Sequence, residues 1–196
     1  MLGEEHSFGP VTFHHNLISL WPLSLGHYDQ WDYMKLPSLA NIKKELQHLT
    51  SEELVDLLME TAKFTKDNKQ FVYFKVFGRE NPQFFQQMVE EELAESFEAA
   101  NMDHAYFAKK SAQANRRKLN KYLKFTKDKT VQLELIAYFC KALISYKYLE
   151  FDHQVIQNLY DLQVSKIQKI VSTLHPDLQF DYQLLVEEVE SYSKHV

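Results

Sequence analysis

The chain has 196 residues, 45% of them hydrophobic and 25% charged, with a formal net charge of −5. That length buries one substantial core and favours a single folded domain. Three of its four glycines (Gly3, Gly9, Gly26) precede residue 34, and Gly78 is alone after them, so glycine-rich phosphate loops, hairpin-rich β folds and nucleophile elbows are excluded. One cysteine, Cys140, rules out an internal disulfide and a cysteine-rich metal site. It suits a reducing intracellular, cytoplasmic setting.

Residues 1–33 differ in texture from the rest. They contain Glu4, Glu5, Asp29 and Asp32 but neither Lys nor Arg, and they hold both tryptophans (Trp21, Trp31) and His6, His14, His15 and His27. The remaining chain carries all 22 basic residues and is nearly balanced by acids, so no global basic excess argues for nucleic acid. The apolar stretch at 16–25 contains Pro22 and is too short to span a bilayer. Nothing positive precedes Lys35, so a secretory signal lacks its basic region. We expect a poorly structured leader over 1–33 and a single all-helical domain over 34–196, with Met34-Lys35-Leu36-Pro37 as an alternative translation start that would make the leader an overlong gene model.

From Ser38 onward the pattern is helical. Leu39, Ile42, Leu46 and Leu49 recur at three and four, the period of one helix face. Thr50-Ser51-Glu52-Glu53 predicts a capping box, with Leu49 and Leu54 at the staple positions, and Leu54, Val55, Leu57 and Leu58 are expected to form the buried side of this second helix. Asp67 with Gln70 opens a third, rich in Phe71, Tyr73, Phe74 and Phe77, which Gly78 is expected to end in a left-handed conformation. Asn81-Pro82 opens a fourth with the stripe Phe85, Val89, Leu93 and Phe97. Asp103 is expected to cap a fifth to about Leu123, Asp128 a sixth to about Leu149, and Asp152 a seventh to Leu174, with a turn between Tyr146 and Phe151. Pro176 stops that helix and a last one begins near Asp181.

No period-two alternation bounded by turn residues occurs. The expected fold is all-α, with seven or eight helices in an antiparallel bundle or a short αα superhelix. Lys63-Phe64-Thr65-Lys66-Asp67 recurs as Lys124-Phe125-Thr126-Lys127-Asp128. The flanks do not extend the match, so it reads as a recurrent turn and cap.

The most pronounced constellation is electrostatic. Between residues 109 and 129 stand nine basic residues (Lys109, Lys110, Arg116, Arg117, Lys118, Lys121, Lys124, Lys127, Lys129) and one acid, Asp128. Lys110, Arg117, Lys121 and Lys124 share a helix face and could track phosphates, with Tyr122 or Phe125 available for stacking. The opposite side, Ala108, Ala112, Asn115, Leu119 and Tyr122, is expected to pack inward. The plainer expectation is that the stripe pairs with Glu90, Glu91, Glu92, Glu95, Glu98 and Asp103 of the preceding segment.

Glu45-Leu46-Gln47-His48 and Glu150-Phe151-Asp152-His153 both read Glu-x-x-His, the pair that helical di-metal carboxylate proteins use. Glu45, His48, Glu150 and His153 are thus remote metal candidates. Exposed Glu and His near helix ends explain them adequately. Cys140 sits among Ile136, Phe139 and Leu143 and reads as a core residue. No catalytic triad or cofactor motif is present, so no catalytic residue and no cofactor are assigned.

Several strings carry a resemblance to a family of small uncharacterised all-helical proteins of Bacteroidetes-type bacteria. They are Ile42-Lys43-Lys44-Glu45-Leu46 with Ser51-Glu52-Glu53-Leu54, Ala62-Lys63 with Asn68-Lys69, Tyr106-Phe107-Ala108-Lys109-Lys110-Ser111, Asn120-Lys121-Tyr122, and Tyr138-Phe139-Cys140-Lys141. The strongest is Ser172-Thr173-Leu174-His175-Pro176-Asp177-Leu178-Gln179-Phe180-Asp181-Tyr182. The resemblance implies a soluble helical fold in a bacterial cytoplasm and brings no activity, cofactor or catalytic residue. The expected function is non-enzymatic binding of a macromolecule, a protein partner ahead of nucleic acid, with no membrane involved. The sequence leaves the oligomeric state open.

Overall fold

Helices in this chain begin where a short polar side chain can take an orphan backbone N–H. The computed structural model describes residues 36–78 and 81–193 and divides the chain into two units, Met1–Leu49 and Thr50–Val196. The leader and the Met34 start lie outside the described residues. In the first unit, Ser38 accepts from the Asn41 N–H and starts α1, Leu39–Leu46, none of whose residues is buried.

The second unit opens with the expected capping box. The Glu53 carboxylate accepts from the Thr50 N–H at 2.7 Å while the Thr50 hydroxyl accepts from the Glu53 N–H, starting α2, Ser51–Phe64. Helix α3, Lys66–Phe77, is capped by Thr65 and not by Asp67, because the Thr65 Oγ1 accepts from the Asn68 N–H at 3.0 Å. Asp67 is displaced into the first turn, where a carboxylate suits the helix dipole. Gly78 ends α3 at φ −82°, not in the expected left-handed region. Space demands glycine there instead, since a Cβ would lie 2.7 Å from the Phe74 carbonyl oxygen.

Asn81 and Pro82 start α4, Pro82–Glu98, as expected, and Phe85, Val89, Leu93 and Phe97 are all buried. Helix α5, Ala105–Leu123, follows His104 and not Asp103, whose N–H is turned to the Asn101 side chain. Its inward face is Ala108, Ala112, Asn115, Leu119 and Tyr122, as the period required. The alanines allow close approach of neighbouring helices.

Asp128 caps α6, Lys129–Ser145, accepting from the N–H groups of Thr130 and Val131. This helix is the axis of the core. Leu133, Leu135, Ile136, Ala137, Phe139, Cys140 and Leu143 are buried around most of its girth, and α4, α5, α7 and α9 pack against it. Each such side chain contributes roughly 1.5–3 kcal/mol on burial. The helix ends at Ser145, short of Leu149, because Lys147 turns left-handed at φ 62° and a 3-10 turn, Tyr148–Phe151, follows. Asp152 is itself left-handed at φ 45°, so His153 takes over as cap of α7, Gln154–Val171, which ends before the expected Leu174.

Pro176 does more than stop a helix. It occupies the first turn of a short α8, Pro176–Asp181, ahead of the helix expected to begin near Asp181. Helix α9, Gln183–Glu190, is pinned to α7: the Tyr160 hydroxyl donates to the Val189 carbonyl at 2.7 Å, and the Ser193 hydroxyl donates to Asp161 at 2.6 Å. The described residues thus form nine α-helices and no strand, an all-α fold, and in the second unit α4, α5, α7 and α9 pack as a bundle around α6.

One expectation fails in a way that matters. Leu54, Val55, Leu57, Leu58 and Met59 are not a buried side, being between 39% and 59% exposed. Helix α2 packs on α3, and Ala62 is its only buried residue. One neighbouring helix cannot cover apolar residues spread over more than half a circumference.

Candidate functional site

Helix α3 joins the core through an aromatic cluster. Phe74, its one buried residue, meets Phe85 of α4 edge-on at 4.8 Å and Tyr122 of α5 at 6.0 Å. Phe71 meets Phe125 edge-on at 5.2 Å. These contacts set α3 beside α5 and leave a cleft of about 700 Å³ between them, lined by Asp67, Asn68, Phe71, Arg117, Lys118, Asn120, Lys121, Lys124 and Phe125.

Three of the four residues of the predicted stripe, Arg117, Lys121 and Lys124, therefore converge on one concave surface. Lys110 lies outside it, its ammonium 4.5 Å from the centre of the Tyr106 ring. A hydrogen bond from Lys110 and its charge hold the Tyr106 hydroxyl below the usual phenol range. Lys121 is engaged, its Nζ 3.3 Å from Asp67 Oδ1 and 3.0 Å from Gln70 Oε1. The side chains of Arg117 and Lys124 are exposed and have no ion-pair or hydrogen-bond partner among the described residues.

The expected pairing of acidic α4 with basic α5 is confined to one locus among the described residues. Lys118 meets the Glu92 carboxylate at 3.5 Å and donates to the Glu92 carbonyl at 3.1 Å. The Tyr122 hydroxyl also donates to Glu92, and burial together with that carboxylate pushes the phenol far up. Glu90 and Glu91 instead accept from Gln86 and Gln87 of their own helix, and Glu98 accepts from the Tyr146 hydroxyl. Tyr122 is fully buried, so it is not available for stacking, whereas Phe125 lines the cleft.

The Glu-x-x-His residues have local roles. Glu45 lies exposed in α1 and His48 in the turn after it, both in the first unit. In the second, Glu150 pairs with Lys147 at 3.7 Å, and the His153 Nδ1 accepts from the Val155 N–H at 3.1 Å as the α7 cap. Among the described residues no group of three or more His, Cys, Asp or Glu is placed to hold a metal ion. Cys140 is buried, and burial pushes its thiol up to about 12, which makes it a poor nucleophile.

Sequence reasoning missed the second surface, the uncovered apolar side of α2. Its signal was there: the apolar residues of α2 spread too widely around the helix for one partner, even with Glu52, Glu53, Asp56, Glu60, Thr61 and Lys63 among them. Tyr73, Val76 and Phe77 of α3 extend the exposed apolar surface. Among the described residues no helix is long and apolar enough to cross a membrane.

Fold and surface together define an all-α bundle carrying an open helical hairpin beside a basic, aromatic-walled cleft. Compared with known proteins, the chain matches no family model, no curated protein and no solved structure.

Proposed function

We propose that this chain is a non-enzymatic protein-binding module whose docking face is the uncovered apolar side of α2. The observation that carries the reading is the exposure of Val55, Leu58 and Met59 on a helix whose one buried residue is Ala62. Contiguous exposed apolar surface marks interaction sites. The occupant that fits is an amphipathic helix of a partner protein, its apolar stripe flanked by a basic residue that meets Glu52. A bacterial, cytoplasmic setting belongs to the same proposal, and the buried lone thiol of Cys140 supports the reducing compartment.

A photo-reactive residue at position 55, introduced in the native host, tests it. One defined protein should cross-link, and Leu58→Glu should abolish the product while leaving the circular dichroism spectrum unchanged. No cross-link, or one indifferent to Leu58→Glu, would sink the reading.

The second reading is nucleic-acid binding through Lys110, Arg117, Lys121 and Lys124, which the two unpartnered cations Arg117 and Lys124 support. It predicts a mobility shift of a short RNA or duplex at low salt that Arg117→Ala weakens and added salt abolishes.

A further inference from the structure

The chain displays two unsatisfied surfaces of opposite sign. On α2, Glu53, Asp56 and Glu60 follow one another at three and four residues, with Leu57 between them; such spacings place them on one side of the helix. On α5, Lys124, Lys121 and Arg117 line the cleft, and read backwards along the helix they also follow at three and four. The outer members of each set are seven residues apart, about 10.5 Å along an α-helix.

An α2 laid antiparallel to α5 therefore brings Glu53 to Lys124, Asp56 to Lys121 and Glu60 to Arg117. The end cations, Arg117 and Lys124, are the two of this set whose side chains have no partner among the described residues. Asp56 and Glu60 are exposed and likewise without an ion pair among the described residues. On the same edge of α2, the exposed Leu57 comes opposite Asn120, which lines the cleft.

We infer that a second copy of this chain is the occupant of the α3–α5 cleft, the acidic edge of α2 from one copy seating on Arg117, Lys121 and Lys124 of the other. A twofold arrangement satisfies both clefts at once, since each copy carries both surfaces. The inference goes beyond docking on the apolar face: it uses a different side of α2 and stands or falls separately.

Sedimentation of the full chain over a range of concentrations tests it. The unmodified protein should self-associate, more weakly as salt rises. Two charge reversals, Arg117→Glu with Lys124→Glu and Asp56→Lys with Glu60→Lys, should each weaken association at least about tenfold, because like charges then meet across the interface. All four positions are exposed, and Glu53 is left alone because it caps α2, so both variants should keep the native circular dichroism spectrum. An equimolar mixture of the two variants should associate more tightly than either variant alone, since the unmodified α2 of one then meets the unmodified cleft of the other with every charge opposite. It should associate less tightly than the unmodified protein, since the second cleft keeps like charges at 53 with 124 and at 56 with 121. A chain that stays monomeric, an association indifferent to either reversal, or a mixture no tighter than either variant alone would each overturn the inference. None of those outcomes touches cross-linking from position 55, so the docking proposal is judged independently.

Discussion

Lys121 of α5 bridges to the first turn of α3, its ammonium 3.3 Å from Asp67 and 3.0 Å from Gln70. The same Gln70 donates to the Tyr122 hydroxyl at 3.2 Å, and Tyr122 in turn donates to Glu92 on α4. A short polar chain thus runs from the hairpin across α5 to α4, above the aromatic cluster centred on Phe74. Attachment of the hairpin divides between this polar latch and the aromatic contacts, and the two differ greatly in strength.

The latch is the weaker. Asp67 is mostly exposed, and exposed ion pairs contribute about 0–1 kcal/mol. A double-mutant cycle of Asp67→Ala with Lys121→Ala in urea should return a coupling within that range. A coupling several times larger would show that the latch, and not the aromatic cluster, holds the hairpin.

The aromatic cluster is the stronger. Phe74→Ala removes a buried ring that touches Phe85, Tyr122 and Phe125, and should cost about 3–5 kcal/mol. Hydrogen exchange should accelerate over α2 and α3 more than over α6, because Phe74 is the only buried residue of α3.

Apolar residues of α2 and α6 should respond in opposite ways. Val55→Asp and Leu58→Glu act on exposed positions and should shift stability by no more than about 0.5 kcal/mol. Leu143→Ala acts on a fully buried one and should cost about 2–5 kcal/mol. Equal losses would mean that α2 is covered in solution, and the self-association measured by sedimentation would say by what.

Alkaline pH should destabilise the fold. Burial raises the Cys140 thiol from 9.0 to about 12 and pushes the hydroxyls of Tyr122 and Tyr160 well above 10.0. Each group holds its proton more tightly when folded, so its contribution is complete below the ordinary value and is lost as pH rises past it. The urea midpoint should stay level near neutrality and fall from about pH 9 upward. A midpoint that rises instead would reverse the assignment of these groups as buried. Cys140 should also resist a thiol reagent at neutral pH until urea unfolds the chain.

Much of the local structure was legible because its causes are local. A cap needs one side chain and a backbone N–H three residues on, so Thr50, Asn81 and Asp128 announced their helices. Where two candidates stood close together, Thr65 beside Asp67 or Asp152 beside His153, the choice turned on backbone geometry that residue type does not encode. The repeated string shows this well: Thr65 caps α3 in its first copy, whereas in the second Thr126 accepts from the Asp128 N–H and Asp128 caps α6.

The sequence by itself determined the helical class, the buried stripes of α4 and α5, and the single locus of positive charge. Period and charge are properties of the chain's order, and order is enough to place residues on a helix face. Which face finds a neighbour is not. Helix α6 is enclosed because four helices pack on it, while α2, apolar along much of its length, packs mainly on α3 among the described residues and leaves Leu54, Val55, Leu57, Leu58 and Met59 exposed. The same packing set α3 against α5 and turned a stripe of lysines and arginines into a cleft with an aromatic wall. Burial is a relation between elements far apart in the chain, and only the tertiary structure decided which of them met.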